Sequence, residues 1–349
     1  MLTLRREKLT ETNLAPSTGW LLGACMEARG KQDLWLRQKP EVLAALREQA
    51  VIQSAESSNR IEGVTVAPDR LRPVVLGGAR PRDRSEEELA GYRKALQWIF
   101  SRKRPVTVEP PIILHLHAMA QGGVSADAGR WKTRDNEIIE FLPSGKRRVR
   151  FKAVTAKETP KAVQGLCDNY SAMGREERLS ALLVAATFVF DFLCIHPFRD
   201  GNGRVSRLLT TLLLEQQGFV VGRYISLERL VEETKEDYYR VLARCSQGWH
   251  EGTNEIVPWW NYFSTVLKRA YQELEARVES ASARPAKSDL VRQAVAAQVG
   301  AFTLADLRAQ APAASAALIK RVLGEMKKAG DVRLIGRGRG ARWELVRKR

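Results

Sequence analysis

Residues 179–195, LSALLVAATFVFDFLCI, are apolar around the whole circumference of a helix rather than along one stripe. A helix of this kind is stable only where other elements cover every side of it. Asp191 interrupts the run, which falls short of the roughly 20 clean apolar residues that a membrane span needs. The segment therefore predicts the central helix of an α-helical core, and a mainly α fold follows. Hydrophobic residues make up 44% of the 349 and charged ones 28%, as in ordinary folded proteins. At about 150 residues per domain, two to three domains are expected. The four cysteines, Cys25, Cys167, Cys194 and Cys245, form no C-x-x-C pair. That excludes a disulfide framework and a thiolate zinc cluster and fits a reducing compartment. The opening MLTLRREKLTETN has no apolar signal-peptide core, so a cytoplasmic protein with no membrane partner is expected.

Around the central helix, spacing predicts a helix over 41–53, a helix end at 57–63 stopped by Gly63, and a helix over 86–102. Pro110-Pro111 opens a helix to about Met119, and Gly122-Gly123 closes it. Residues 136–151 place Pro143-Ser144-Gly145 between β-prone flanks, a hairpin signature. Pro160 starts a helix to about Met173. A helix after the central one runs to Gln217 and stops at Gly218. A long amphipathic helix runs from Trp259 toward Ser282 and gives way to a linker around 283–287. Three regions result: an N-terminal helical region at 1–104, a core at 105–283 and a tail domain at 284–349.

Charge is concentrated in the tail. The whole chain carries 57 Lys+Arg against 40 Asp+Glu, a net +17; residues 284–349 hold 15 basic and 5 acidic residues. A small, strongly basic domain favours a polyanion partner. Its pattern is helix 289–298, a second helix capped near Thr303, a third over 313–329, then strands 332–335 and 341–346 joined by a glycine- and arginine-rich tip. Three helices and a basic hairpin predict a winged helix-turn-helix. Lys320, Arg321, Lys327 and Lys328 on the third helix, with Arg337, Arg339 and Arg342 on the wing, are candidate phosphate contacts. Winged helices also dock proteins, and that alternative stays open.

The segment His196-Pro197-Phe198-Arg199-Asp200-Gly201-Asn202-Gly203-Arg204-Val205-Ser206-Arg207 carries the chemistry. It links the central helix to the N-terminus of the next. Gly201-Asn202-Gly203 permits unusual backbone angles and close approach; successive N–H groups and a helix N-terminus make an anion site. Arg204 and Arg207, three apart, are expected on one helical face, as a phosphate clamp. Asp200 is a hard oxygen ligand suited to Mg²⁺ together with phosphates. His196 is suited to take a proton from an attacking hydroxyl. Base, metal ligand, nest and arginine clamp are the parts of a phosphate-transfer site. His115 and His117 lie two apart on a helix and face different sides, against a shared metal. His250 has no partner by sequence.

This segment resembles the Fic family motif, HxFx(D/E)GNGRxxR, at every defined position, and the resemblance spans residues 105–270 as a Fic-type helical core. Upstream, residues 58–63 (SNRIEG) resemble the family's inhibitory pattern, (S/T)xxxE(G/N), and the winged-helix tail is a recurring companion. The resemblance implies a protein adenylyltransferase that moves AMP from ATP, with Mg²⁺, to a hydroxyl of a target protein. His196 would be the catalytic base and Asp200 the Mg²⁺ ligand. Phe198 would hold the loop in the core, next to Arg199 in the nucleotide-binding segment. Gly201, Asn202 and Gly203 would cradle the α/β-phosphates, Arg204 would hold the β-phosphate and Arg207 the γ-phosphate. The hairpin resembles the family flap, with Ile138, Ile139 and Glu140 over the nucleotide, and Tyr238-Tyr239 resemble a tyrosine pair near the adenine. Glu62 would pair with Arg207 and inhibit. Related Fic chemistry, including AMP removal, and a DNA-binding regulator with a nucleotide-sensing core are the alternatives. A homodimer is a further implication of the resemblance.

Overall fold

The computed structural model describes residues 2–37, 40–102, 104–123, 125–141, 147–174, 179–282, 287–296, 298, 301–312, 314–336 and 341–346. The chain divides into two compact units, Met1–Val278 and Glu279–Arg349. The first contains α1 (Arg6–Glu11), α2 (Pro16–Leu36), α3 (Pro40–Ile61), α4 (Pro68–Val75), α5 (Arg84–Phe100) and α6 (Pro110–Ala120). A hairpin follows, β1 (Glu137–Phe141) and β2 (Arg147–Lys152). Then come α7 (Thr159–Met173), α8 (Ala181–Ile195), α9 (Asn202–Gln216), α10 (Leu227–Glu233), α11 (Lys235–Cys245) and α12 (Val257–Ser282), whose last residues belong to the second unit. Among the described residues, no helix is long and apolar enough to cross a membrane.

α8 is the central helix that its composition requires: every residue from Leu182 to Ile195 is buried. Its polar groups are matched, because an unpaired polar group in such a place is costly. Thr187 Oγ1 accepts from Trp260 Nε1 at 2.8 Å, and the Ala186 carbonyl from Trp259 Nε1 at 2.7 Å. Asp191, an interruption by sequence, is a tether. Its carboxylate accepts the amides of Thr3 (3.1 Å) and Leu4 (2.7 Å) and the Trp249 indole N–H (2.7 Å). One apolar cluster, from Leu4 to Val278, joins residues on both sides of position 104.

The predicted helix over 41–53 and the helix end at 57–63 are one continuous helix, α3. Gly63 then turns the chain at φ 81°, a conformation that glycine adopts without strain. Asp83 caps α5 by accepting the Glu86 amide at 2.9 Å. β1 and β2 pair antiparallel, Ile138 with Phe151 and Ile139 with Val149. Arg150 is thus the extra residue of a β-bulge. The expected turn at Pro143-Ser144-Gly145 lies outside the described residues.

The second unit contains α13 (Lys287–Ala296), α14 (Leu304–Gln310), α15 (Ala316–Lys328), β3 (Val332–Ile335) and β4 (Arg342–Leu345). A capping box between Thr303 and Asp306 starts α14. The third helix begins at Ala316, not 313, because Ser315 Oγ caps the Leu318 amide at 3.2 Å. β3 and β4 pair antiparallel, and Phe302 adds a bridge to Trp343. Val291, Val295, Leu307, Ile319, Val322 and Leu323 form this unit's own core. Lys320, Arg321, Lys327 and Lys328 are exposed on α15, and Arg342 is exposed on β4. Arg321 lies 3.8 Å from Glu325. Arg337 and Arg339 lie outside the described residues.

Candidate active site

α8 ends by turning left-handed. His196 stands at φ 51°, ψ 61°, and among the described residues no other non-glycine has positive φ. That conformation costs an L-residue about 1–2 kcal/mol and persists where the surroundings over-determine it. His196 lies 3.3 Å, through Nδ1, from the Leu193 carbonyl. With the proton on Nδ1, Nε2 keeps its lone pair. Burial lowers the imidazole pKa to about 4, so the ring is neutral at pH 7.

The loop is closed from within and from outside. Asn202 Oδ1 accepts the Phe198 amide at 2.9 Å, and its Nδ2 donates to the Phe198 carbonyl at 2.8 Å. Phe198 is fully buried; its ring stacks on His117 at 3.7 Å and 9° and packs 5.2 Å from Trp131. The Gly129 amide donates to His117 Nδ1 at 3.0 Å, so Nε2–H donates to the Asp200 carbonyl at 3.1 Å. Burial lowers the His117 pKa to about 4. Gly201 stands at φ 82°, and a Cβ there would meet Gln121 Nε2 at 2.8 Å.

A cavity of about 500 Å³ opens beside this loop. Glu62, Gly203, Arg207 and His196 line one part; Tyr238, Tyr239, Ile138, Ile139 and Arg150 line another. Ser58 and Glu62, four residues apart, meet the same arginine. Arg207 Nε donates to Ser58 Oγ at 2.8 Å, and Nη2 donates to the Ser58 carbonyl and to Glu62 Oε1, each at 2.8 Å. Burial opposes the Arg207 charge, but Glu62, with Tyr92 and Tyr238, outweighs it and holds the pKa above the usual arginine value. A Cβ on Gly203 would lie 2.1 Å from Glu62 Oε1. The carboxylate therefore sits against the first turn of α9, whose amides have no intrahelical partners and whose dipole favours an anion. Lys235 Nζ donates to the Ile61 carbonyl at 3.0 Å and holds the end of α3 here.

Several of the expected site residues do not line this cavity. Arg204 and Arg207 do not share a face of the cavity. Arg204 is 1% exposed and ion-pairs with Glu88 at 2.7 Å and Asp200 at 3.4 Å. Phe198 packs in the core, where the resemblance put it, and the Arg199 side chain is 78% exposed, 4.0 Å from Asp127; neither lines the cavity. Asn202 closes the loop instead of facing the cavity, and Gly201 does not line it either. Asp200 is exposed, accepts the Gly201 amide at 2.7 Å and pairs with Arg84 at 3.2 Å. The Glu140 side chain lies outside the described residues. His250 has a partner after all: its Nε2 lies 2.7 Å from the Lys152 carbonyl, and its ring stacks on Phe151.

Residues 107–214 match the Fic/DOC family. This stretch is similar to a Fic domain. The chain is similar to a protein adenylyltransferase Fic of Nematostella vectensis, 23% identical over 255 residues, covering 70% of this chain and 53% of that one. It is also similar to a Fido domain-containing protein of Dictyostelium discoideum, 38% identical over 99 residues, 28% of this chain and 65% of that one. The chain thus spans about half to two thirds of the length of these relatives. A Fic family protein from Desulfovibrio desulfuricans shares the fold, with a TM-score of 0.61 at 21% identity over 97% of this chain and 98% of that one.

Sequence reading missed four supports of this site: His117, Glu88, Lys132 and Arg150. None stands in a motif, because each reaches the site through a contact distant in sequence.

Proposed function

We propose that the chain is a protein adenylyltransferase that moves AMP from ATP to a hydroxyl side chain of a target protein, and that Glu62 inhibits it. The observation that carries this reading is the Glu62 carboxylate on Arg207 and Gly203. A built anion site at a helix N-terminus is filled by the chain's own anion. A triphosphate needs the same amides and guanidinium, so Glu62 must leave before the phosphates seat productively.

With Glu62 withdrawn, Arg207 and the first turn of α9 orient the phosphates. Tyr238, Tyr239, Ile138 and Ile139 offer an apolar wall to the base. His196 Nε2 takes the proton of the target hydroxyl as its oxygen bonds the α-phosphorus. The α-phosphorus–oxygen bond to the β-phosphate breaks, pyrophosphate leaves, and AMP remains as an ester on the target. The proton passes from His196 to water. Catalysis here is positioning and charge stabilisation. The donor set fits Mg²⁺: Asp200 is an exposed carboxylate beside the phosphate site, and this ion takes one or two carboxylates plus phosphates. Among the described residues no group of three His, Cys, Asp or Glu could hold a metal by itself. Bound there, the ion would neutralise charge on the departing pyrophosphate.

The test is label transfer from α-labelled ATP by wild type, Glu62→Gly and Glu62→Gly/His196→Ala. Glu62→Gly is expected to raise transfer at least tenfold, and His196→Ala to remove it by about 10²–10⁴-fold. An unchanged rate in Glu62→Gly overturns the inhibitory reading.

We further propose that the second unit is a winged helix-turn-helix that binds DNA. Its three helices and hairpin, and the exposed Lys320, Arg321, Lys327 and Lys328, support this. Duplex DNA is expected to bind with an affinity that falls steeply between 50 and 200 mM salt, by roughly the amount that phosphate contacts impose. Binding that ignores salt, or none, favours protein docking.

A further inference from the structure

His196 is held by a lysine from outside its own motif. Lys132 is 5% exposed. Its ammonium donates to the His196 carbonyl at 2.9 Å and Asn136 Oδ1 at 2.7 Å, and reaches the Ile195 carbonyl at 3.4 Å. Its amide donates to the Pro197 carbonyl at 2.9 Å, and Asn136 Nδ2 donates to the Phe198 carbonyl at 2.9 Å. Four successive carbonyls, from Ile195 to Phe198, are thereby engaged by two residues of one short segment. Ile195 is the last residue of α8, whose final carbonyls have no partners within the helix, and the other three carbonyls belong to the left-handed turn that follows it.

The charge on Lys132 has no carboxylate within ion-pairing distance among the described residues. Burial lowers its pKa to about 8, so this cation is kept dry against a solvation penalty. The nearby Asp135 charge opposes that penalty, and so does the C-terminal end of α8, where the helix dipole favours a cation. A neutral apolar side chain would fill the space without that penalty but would leave the carbonyls unpaired. The arrangement makes sense as a device that fixes the turn.

We propose that Lys132 is a positioning residue for His196, seating its ammonium on the end of α8 so that the imidazole enters the cavity in one backbone conformation. The inference rests on the reading of His196 as the base of AMP transfer. Lys132 touches neither nucleotide nor hydroxyl in this role. Its removal should therefore slow the chemical step and leave the phosphate contacts of Arg207 and α9 in place.

The test uses the full chain in the Glu62→Gly background, with Lys132→Met and Lys132→Arg. Lys132→Met is expected to lower kcat about 100-fold, the scale of a misplaced catalytic group, with KM for ATP within twofold. Lys132→Arg, which keeps a cationic donor, is expected to recover at least a tenth of the parental kcat. A second readout is independent of turnover. The chain has four histidines, so imidazole NMR signals can be assigned with His196→Ala. The His196 signal should move in Lys132→Met, while those of His115 and His250 stay. A stationary His196 signal, or a kcat within threefold of the parent, overturns the proposal. So does a parallel rise of KM with no rescue by arginine, which marks general structural loss. If the parent transfers no AMP yet the His196 signal moves, the positioning role stands and the reaction assignment falls.

Discussion

The loop from His196 to Gly203 and the hairpin of β1 and β2 face the same cavity, but they are built in opposite ways. The loop is clamped from several directions: Lys132 and Asn136 from one side, His117 and Gln121 from another, Asn202 from within. Among the described residues, the hairpin strands pair with each other and with no other strand. Val149 is 44% exposed, and a bulge at Arg150 breaks the register. An unpaired strand edge is a template for an added strand. The comparison teaches that the loop carrying His196 is fixed by many cross-links, whereas the hairpin wall of the same cavity keeps an open edge.

The contrast makes graded predictions. The largest effect is expected in the loop. Asn202→Ala removes both hydrogen bonds to Phe198 and should lower AMP transfer in Glu62→Gly about 100-fold, with about 1–3 kcal/mol of stability lost on urea unfolding. A loss under threefold would break the comparison. A smaller effect is expected in the hairpin. Arg150 lines the cavity, and its Nε is buried without a hydrogen-bond partner. Arg150→Gln should raise KM for ATP about tenfold, the scale of one charged hydrogen bond, with Tm unchanged. A fall in Tm instead would assign Arg150 to structure.

The smallest effect is in pH. His196 must be neutral to accept a proton, and burial places its pKa near 4. Transfer by Glu62→Gly should therefore be level from pH 7 down to about 5 and decline only toward 4. A decline centred near pH 6.5 would mean a solvated imidazole. Stability has the same sign. His117 and His196 resist protonation in the folded loop but not in the unfolded chain, so stability falls as pH drops from about 6.5 toward 4.

Much of the fold was legible in local pattern. The all-round apolar run gave α8, proline and glycine punctuation gave α6, α7 and the end of α9, and Thr303 gave the cap of α14. The chemistry of 196–207 was legible because those residues are consecutive. The pairing of Glu62 with Arg207 was legible through resemblance to an inhibitory pattern; that Ser58, one helical step away, meets the same arginine was not. The supports were not legible. Glu88 on Arg204, His117 on Asp200 and Lys132 on His196 lie 116, 83 and 64 residues apart, and no periodicity links them. The same limit explains the two arginines.

By itself, the sequence determined the elements and the reactive loop, since each rests on neighbours within a turn or two of chain; Glu62 stood out only through its resemblance to an inhibitory pattern, and its partner lies 145 residues away. Only the tertiary structure decided that Arg204 is neutralised by Glu88 while Arg207 is left to Glu62. It alone decided that a buried lysine fixes the turn at His196. Such choices depend on which distant charge the packing brings within hydrogen-bonding reach, and in a buried site that proximity decides which charge is spoken for and which faces the cavity.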